Sequence, residues 1–271
     1  MTRTAVIQMV SSADVETNLQ ITADLIQRAV ADRAEFILLP ENFAFMGHDE
    51  HDKVAILEAP GTGPIQEFLK TQAQQHAIWL MGGTIPLKAS VPDKIRAACL
   101  LYNPTGECVA RYDKVHLFDV SVASGGDETY NESGTIEAGN EIVVITTPFA
   151  NIGMSVCYDL RFPELYRNMH AQGVNLITVP SAFTATTGKA HWETLLRARA
   201  VENLCYVIAS NQGGKHINER ETWGHSMIIN PWGEILAQVP EGPGFACADI
   251  NIEDLNKLRK SFPTLEHRKF K

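Results

Sequence analysis

The sequence has few cysteines, and their spacing excludes two common roles for them. Five cysteines are spread over 271 residues, an odd number with no Cys-x-x-Cys pair. This pattern is neither a disulfide framework nor a zinc motif. Cys99, Cys205 and Cys247 lie within apolar, strand-like runs, and we expect them to be small buried side chains.

Long apolar runs and an excess of positive charge are also missing. No run approaches the roughly 20 apolar residues that a membrane-spanning helix needs, and the N-terminus lacks the pattern of a signal peptide. A formal net charge of −9 disfavours nucleic acid and anionic membranes as partners. No glycine-rich loop has the spacing of a phosphate-binding motif. We therefore expect a cytoplasmic protein with a small-molecule partner, no cofactor and no bound metal.

The length is enough for one large domain with a sizeable core. We predict a single domain over residues 1–271. Within it, residues 252–271 contain a short helix and then basic, polar sequence, which predicts a C-terminal tail on the surface or at a subunit contact.

The second half of the chain repeats the pattern of the first. Leu101-Tyr-Asn-Pro-Thr-Gly-Glu-Cys-Val-Ala110 matches Ile228-Ile-Asn-Pro-Trp-Gly-Glu-Ile-Leu-Ala237, and each indicates a hairpin. Helical patterns fall between strand patterns in both halves, over residues 17–31, 65–76, 162–172 and 190–203. Each half then follows the order β-α-β-α-β-β-β. The pattern predicts an α/β protein, a four-layer αββα sandwich with an internal pseudo-two-fold repeat.

Three reactive residues stand just past the ends of apolar strands. Glu41 follows Phe36-Ile-Leu-Leu-Pro40, Lys114 follows the strand 109–112, and Cys157 follows Gly153-Met-Ser-Val156. Open α/β sheets build their sites at such strand ends. If the repeat is real, the strands before Glu41 and Cys157 belong to opposite sheets, and their ends can converge.

The surroundings of Cys157 indicate covalent chemistry. The thiol lies where a strand turns into a helix that opens at Pro163, with Arg161 nearby. Helix N–H groups and a cation both favour the thiolate, which is a strong nucleophile. A carboxylate such as Glu41 can take the thiol proton and later activate water, and an ammonium such as Lys114 can stabilise an oxyanion.

Together these motifs resemble the nitrilase superfamily of carbon–nitrogen hydrolases. The resemblance rests on Leu39-Pro-Glu-Asn-Phe43, Tyr112-Asp-Lys-Val-His-Leu117 and Gly153-Met-Ser-Val-Cys-Tyr-Asp-Leu-Arg-Phe-Pro-Glu164, which occur in the order of that family. It implies an αββα fold, a homodimer or higher oligomer, and a Glu–Lys–Cys triad at Glu41, Lys114 and Cys157. It also implies a second glutamate at Glu132, and we expect the backbone N–H of Tyr158 to join Lys114 in holding the oxyanion.

Within the superfamily, the sequence is most similar to the branch that includes deaminated-glutathione amidase and omega-amidase. The resemblance implies hydrolysis of a small carboxylate-bearing amide through a cysteine thioester, with release of ammonia. An omega-amide such as 2-oxoglutaramate, a nitrile or an N-carbamoyl amino acid remain alternatives, because all use the same triad. A metal-dependent phosphoesterase and a non-catalytic binding protein are weaker alternatives from other classes.

Substrate contacts are predicted from the loop and helix that follow the strand 176–180. We expect Phe183, Thr184 and Trp192 to bind substrate. A carboxylate-bearing substrate also needs a basic or hydroxyl-rich pocket, for which the sequence offers Thr184, Thr186, Thr187 and Lys189.

Overall fold

Two β-sheets pack face to face, and helices cover the outer face of each. The computed structural model describes residues 1–122 and 128–270. The strands are β1 (Thr2–Gln8), β2 (Phe36–Leu38), β3 (Trp79–Met81), β4 (Ile85–Lys88), β5 (Ile95–Tyr102), β6 (Cys108–Asp113), β7 (Asp119–Val122), β8 (Glu128–Asn131), β9 (Val143–Thr146), β10 (Asn151–Met154), β11 (Leu176–Ser181), β12 (Tyr206–Asn211), β13 (Ser226–Ile229), β14 (Ile235–Val239) and β15 (Gly244–Ile250). The α-helices are α1 (Val15–Ala31), α2 (Pro64–His76), α3 (Pro163–Ala171), α4 (Ala185–Asn203) and α5 (Ile252–Ser261). Across the described residues, no helix combines the length and the apolar composition that a membrane span requires.

The two sheets have matching centres. In the first sheet the order is β15-β1-β2-β3-β5-β4, with β6 also paired to β5, and β1, β2 and β3 run parallel. In the second sheet the order is β14-β13-β12-β11-β10-β9, and β10, β11 and β12 run parallel. An antiparallel strand borders each parallel set, β15 beside β1 and β9 beside β10. The pair β7–β8 forms a separate hairpin.

Alternation along the strands creates the layers. In the first sheet, Val6 and Leu38 belong to the core shared with the second sheet, whereas Ala5, Ile7 and Ile37 pack with helices α1 and α2. Successive side chains of a strand point to opposite faces, so a strand buried on both faces needs apolar residues throughout. The second sheet is covered by α3 and α4 in the same way. The predicted four-layer αββα sandwich is confirmed.

The repeat is visible in the backbone of the two hairpins. In the β5–β6 turn, the Asn103 side chain accepts hydrogen bonds from the N–H groups of Thr105 and Glu107. In the β13–β14 turn, the Asn230 side chain accepts from Trp232 and Glu234 in the same arrangement. Asn side chains commonly stabilise turns by such contacts to the backbone. The two sequences that resembled each other therefore fold into the same turn.

Helices α2 and α4 also end alike. Each is followed by a residue in the left-handed region, Ala77 with φ 52° and Leu204 with φ 43°. The next N–H then bonds back into the last helical turn, from Ile78 to the Ala73 carbonyl and from Cys205 to the Ala200 carbonyl, both at 3.1 Å. Each helix is thereby turned directly into the next parallel strand.

The segment predicted as a tail begins with helix α5. Leu255 is buried in the core between the layers, and Arg259 donates hydrogen bonds to the carbonyls of Leu204 and Val174. The first part of residues 252–271 thus packs against the second half of the sandwich. The boundaries of the domain and of the tail stay predictions.

The two hairpin turns should respond alike to loss of their glycines. Gly106 and Gly233 have φ values of 76° and 85°, and an added Cβ would clash with the Gln74 side chain at the first position and lie 2.8 Å from Val201 at the second. We expect Gly106→Ala and Gly233→Ala each to lower the free energy of unfolding by about 1–2 kcal/mol from backbone strain alone. Urea denaturation measures the change.

Gly61→Ala is the matched control, because Gly61 has φ 83° with open space around it. Gly61→Ala therefore measures the cost of backbone strain without a steric clash. Gly106→Ala and Gly233→Ala should each lose more stability than Gly61→Ala does. If only one turn variant were destabilised, the structural equivalence of the two hairpins would be wrong.

Candidate active site

Four residues that follow strand ends meet in one buried place. Glu41 lies three residues after β2, Lys114 directly after β6, Glu132 directly after β8 and Cys157 three residues after β10. All four side chains are buried or nearly so. The structure therefore brings together the triad predicted from the sequence and the second glutamate.

Lys114 is the centre of this cluster. Its side chain has no exposed area, and its Nζ lies 3.0 Å from Glu41 Oε1 and 2.9 and 2.7 Å from the two carboxylate oxygens of Glu132. An ammonium group has three N–H donors. The three carboxylate oxygens therefore match its full donor capacity.

Both carboxylates are held by backbone groups as well. Glu41 Oε2 accepts from the Ala182 N–H at 2.8 Å, across the interface between the two sheets. Glu132 Oε2 accepts from the Phe118 N–H at 2.8 Å. The main-chain carbonyl of Glu41 accepts from the Gln212 side chain at 3.0 Å. These contacts fix the orientation of each carboxylate relative to Lys114.

The charges in the cluster perturb one another strongly. Burial alone disfavours the ammonium form of Lys114, but the Glu132 and Glu41 carboxylates raise its pKa well above the ordinary value. Burial opposes ionisation of Glu41 too, yet the Lys114 charge and hydrogen bond lower the pKa of Glu41. One ammonium and two carboxylates leave the cluster with an excess negative charge.

Cys157 adopts a strained backbone at the start of a short 3₁₀ helix, Cys157–Arg161. Its φ is 49°, in the left-handed region that costs an L-residue free energy. The side chain is 7% exposed, so the sulfur is nearly enclosed. The following N–H, that of Tyr158, lies in the first turn, where helical N–H groups have no intrahelical acceptor.

The expectation that Cys157 is a thiolate is wrong for the resting protein. Burial, and then the neighbouring Glu41 carboxylate, raise the pKa of the Cys157 thiol far above its ordinary value. Arg161 does not offset this effect. Its guanidinium lies over the rings of Phe183 and Tyr158 and contacts His191 Nδ1 at 3.2 Å.

A small cavity opens on the sulfur. Its volume is about 10 Å³, room for roughly one water molecule. Its lining residues are Phe118, Glu132, Cys157, Tyr158, Arg161, Ala182, Phe183, Thr184, Thr187 and Arg220. The nucleophile candidate thus shares its cavity with two guanidinium groups and two threonine hydroxyls.

The predicted substrate contacts divide into two groups. Phe183 and Thr184, both predicted to bind substrate, line the cavity. The Thr184 hydroxyl also caps α4 by accepting a hydrogen bond from the Thr187 N–H. Trp192 does not line it. Its side chain is fully buried behind Phe183, at a ring-centroid distance of 4.9 Å, and its indole N–H bonds the His225 carbonyl. The prediction of a direct Trp192 contact is therefore wrong.

Several lining residues were not found from the sequence. Phe118 and Ala182 contribute backbone N–H groups, which any residue type can supply, so no sequence pattern marks them. Arg220 lies in a loop far along the chain, and its partners Glu50 and Ala182 are distant in sequence. Lys189, considered for the same cationic role, is exposed on α4.

Comparison with known proteins decides the family. Residues 3–260 match the carbon–nitrogen hydrolase family. The chain belongs to this family. The resemblance to the nitrilase superfamily that was predicted from three motifs is confirmed.

Similar proteins support membership of this family over nearly the whole chain. The chain is 47% identical over 269 residues to a protein named deaminated glutathione amidase from Synechocystis sp., and the match covers 98% of this chain and 97% of that protein. The yeast Saccharomyces cerevisiae Nit3, a member of branch 10 of the nitrilase superfamily, is similar in structure, with a TM-score of 0.88, 30% identity and coverage of 99% and 97%. The Caenorhabditis elegans NitFhit protein gives a TM-score of 0.90 at 36% identity, with 99% of this chain but 65% of that longer chain covered.

These similarities establish the reaction class. The carbon–nitrogen hydrolase cleaves amide C–N bonds and is an amidase. In the described part of the chain, no group of three or more His, Cys, Asp and Glu side chains is arranged to hold a metal ion. The phosphoesterase alternative would need such a group.

Asp159 holds the loop of the hydrolase that carries Cys157. Its Oδ2 accepts from the Tyr112 hydroxyl at 2.7 Å and from the Val156 N–H at 2.8 Å. Its Oδ1 accepts from the His116 N–H at 3.0 Å and faces His116 Nδ1 at 2.7 Å. The His116 ring in turn stacks on Phe162 at 3.7 Å. One fully buried carboxylate therefore ties the strained turn to the strand before Lys114.

Replacing this carboxylate should both destabilise the protein and disturb the turn. In Asp159→Asn, an amide N–H₂ group would stand where an oxygen now accepts two donors, so at least one buried donor loses its partner. We expect a loss of about 3 kcal/mol in the free energy of unfolding, measured by chemical denaturation. Glu164→Gln is the control, because Glu164 is exposed on the following helix. Equal stability of the two variants would show that Asp159 does not brace the turn.

Proposed function

We propose that this protein hydrolyses deaminated glutathione through a thioester on Cys157, with Glu41 as acid–base and Lys114 as the charge that stabilises the oxyanion. The single observation that carries the proposal is the contact of one buried ammonium with two carboxylates beside a nearly enclosed thiol. The 47% identical relative named deaminated glutathione amidase supports the choice of substrate.

The first half-reaction follows from the charges in the cluster. Because the thiol of Cys157 is neutral, its proton passes to the Glu41 carboxylate as Sγ attacks the amide carbon. The C–S bond forms and the carbonyl electrons move to oxygen. The C–N bond then breaks, the leaving nitrogen takes the proton from Glu41, and a thioester remains.

Lys114 responds to that proton transfer. In the resting protein its three donors are directed at carboxylate oxygens of Glu41 and Glu132. When Glu41 becomes neutral, its attraction for the ammonium weakens, so one N–H of Lys114 can turn toward the oxyanion. Glu132 keeps Lys114 in place during this exchange and is a positioning residue. The Tyr158 N–H is the proposed second oxyanion donor.

Water completes the cycle. Glu41, again a carboxylate, takes a proton from a water molecule. At the same time the water oxygen attacks the thioester carbon. The second tetrahedral species collapses when the C–S bond breaks, and Glu41 returns the proton to Sγ. The carboxylate product leaves, and the thiol is regenerated.

The leaving group of this substrate is an amine. Deaminated glutathione has no primary carboxamide, so its hydrolysis cannot release the ammonia that was expected from the sequence. Cleavage of its side-chain amide gives a dicarboxylic oxo acid and a dipeptide whose amino group leaves. Ammonia release holds only for a primary amide such as 2-oxoglutaramate.

The lining of the cavity suits an anionic substrate. The guanidinium groups of Arg161 and Arg220 and the hydroxyls of Thr184 and Thr187 surround the space beside Cys157. Guanidinium groups match carboxylates in geometry and charge. The cations are arginines rather than the lysine considered from the sequence.

We also propose a cytoplasmic homodimer. All five cysteines are free in the structure, as is usual in a reducing compartment. Near the end of α4, three exposed apolar side chains form a candidate contact surface: Val201, Trp232 and Phe262. Sedimentation at micromolar concentration tests the dimer.

Loss of Cys157 should abolish turnover while the fold persists. We expect Cys157→Ala to show no measurable hydrolysis of deaminated glutathione. The assay measures release of the dipeptide amine. Cys108→Ala is the matched control, because Cys108 is an exposed cysteine on β6. Intact-mass analysis should find an acyl adduct in the wild-type enzyme and not in Cys157→Ala. Unchanged turnover by Cys157→Ala would disprove the mechanism.

A substrate panel tests the choice of amide. 2-Oxoglutaramate, a simple primary amide and a nitrile are compared with deaminated glutathione by kcat/KM. A higher kcat/KM for any of them would disprove the proposed substrate while leaving the thioester mechanism intact.

The pH profile of kcat/KM should be flat near neutrality. Glu41 acts as a base only when ionised, and its lowered pKa means that activity is lost only as the pH falls below 4.5. Lys114 stays charged until well above 10.5, and the raised pKa keeps Cys157 a neutral thiol beyond 9.0. We therefore expect a plateau between about pH 5.5 and 9.

The control for this profile is circular dichroism at each pH, which separates loss of fold from loss of catalysis. A limb with a midpoint near pH 7 would contradict the proposed protonation states.

A further inference from the structure

Arg220 lies at the boundary between two cavities. It lines the small cavity on Cys157, of about 10 Å³, and an outer cleft of about 500 Å³. The outer cleft is also lined by Glu50, Tyr130 and Asn218. Among the described residues, Arg220 is the one that lines both spaces.

The guanidinium of Arg220 has several contacts, but one of its N–H donors lacks an acceptor. One terminal nitrogen donates to the Ala182 carbonyl at 2.6 Å, the other lies 3.5 Å from Glu50 Oε1, and the group sits over the Tyr130 ring at 5.1 Å. Its Nε is buried and finds no acceptor among the residues that the structure describes. A buried donor without an acceptor is unusual and calls for an explanation.

Arg220 is the part of the described cleft lining that attracts an anion. Among the described residues that line it, Arg220 is the only one with a permanent positive charge, whereas carboxylates are several: Asp49, Glu50, Glu219 and Glu221. The pKa of Glu50 is lowered to about 2, first by Lys53 and then by Arg220, so Glu50 is a permanent anion that anchors the guanidinium. A carboxylate in the cleft is therefore attracted to Arg220 and repelled by the remaining wall.

The size of the substrate decides which part of it meets Arg220. Small-molecule sites usually measure about 300–1,000 Å³, so a molecule of tripeptide size cannot fit in the small cavity and must extend into the outer cleft. The amine leaves while the acyl group is still bound to Cys157. The leaving half therefore lies on the side of the outer cleft, beside Arg220, and the acyl half on the side of Cys157.

We propose that Arg220 is a specificity-determining residue whose guanidinium, partly exposed at the cleft, binds the terminal carboxylate of the leaving amine. This inference rests on the proposed function and extends it to the half of the substrate that departs first. It also separates the two arginines of the cavity, because Arg161 does not border the outer cleft.

A purely structural role for Arg220 makes a different prediction. Arg220 bonds the carbonyl of Ala182, whose N–H bonds Glu41. If its function were to hold Ala182, its loss would misplace the acid–base group for every substrate and would slow hydrolysis of the thioester as well.

The test crosses a protein variant with a substrate variant. Wild-type enzyme, Arg220→Gln and Arg220→Lys are assayed with deaminated glutathione and with its analogue in which the terminal carboxylate is a carboxamide. We expect Arg220→Gln to lower kcat/KM for deaminated glutathione by about tenfold to hundredfold, mainly through KM, which is the usual effect of losing a charge-assisted hydrogen bond. For the carboxamide analogue we expect a change of less than about threefold, and Arg220→Lys should recover part of the loss.

The control variant is Arg28→Gln, which removes an exposed arginine of α1 that pairs with Asp24. It should leave both substrates unaffected. An equal loss for both substrates, slower thioester hydrolysis or no loss at all in Arg220→Gln would overturn the assignment of Arg220. Absence of deaminated glutathione hydrolysis by the wild-type enzyme would instead overturn the proposed function and, with it, the ligand assigned to Arg220.

Discussion

The buried ammonium of Lys114 between two carboxylates is the interaction on which the site depends. Removing one partner of a buried ion pair typically costs about 3–5 kcal/mol because an uncompensated charge remains. Here the three oxygens of Glu41 and Glu132 satisfy the three donors. Because Glu41 also accepts the Ala182 N–H from the opposite sheet, the cluster can exist only when both halves of the sandwich are packed.

Burial, and then the excess negative charge of that cluster, determine the protonation state of the thiol. A second negative charge on Cys157 beside Glu41 would be strongly unfavourable in a nearly dry site, so the sulfur stays protonated. In the proposed mechanism, the thiol therefore passes its proton to Glu41 only as the carbon–sulfur bond forms.

The internal repeat explains how the groups converge without making the two halves equivalent. The strand register pairs Thr4 with Phe36 in the first sheet and Ile152 with Leu176 in the second. When Phe36 is matched to Leu176, Glu41 corresponds to Ser181 and Cys157 to Met9. The Glu41 carboxylate therefore comes from one sheet and the Cys157 thiol from the other, each after a parallel strand. Face-to-face packing of the sheets then brings together side chains that are far apart in sequence, which a single open sheet could not do.

The sequence by itself determined the layers and the repeat, because apolar periodicity and the order of strands fix how the sheets form. The meeting of Glu41, Lys114 and Cys157 was implied by the resemblance of three motifs to the nitrilase superfamily. The sequence could not determine the charge state of Cys157, which arises from burial and from the Glu41 carboxylate rather than from the adjacent Arg161. Nor could it separate Phe183, which lines the cavity, from Trp192, which lies behind it, because both are aromatic residues on the same segment. The position of Arg220 was decided only by tertiary structure, since its contacts with Glu50 and Ala182 join three segments whose proximity follows from packing and not from any local pattern.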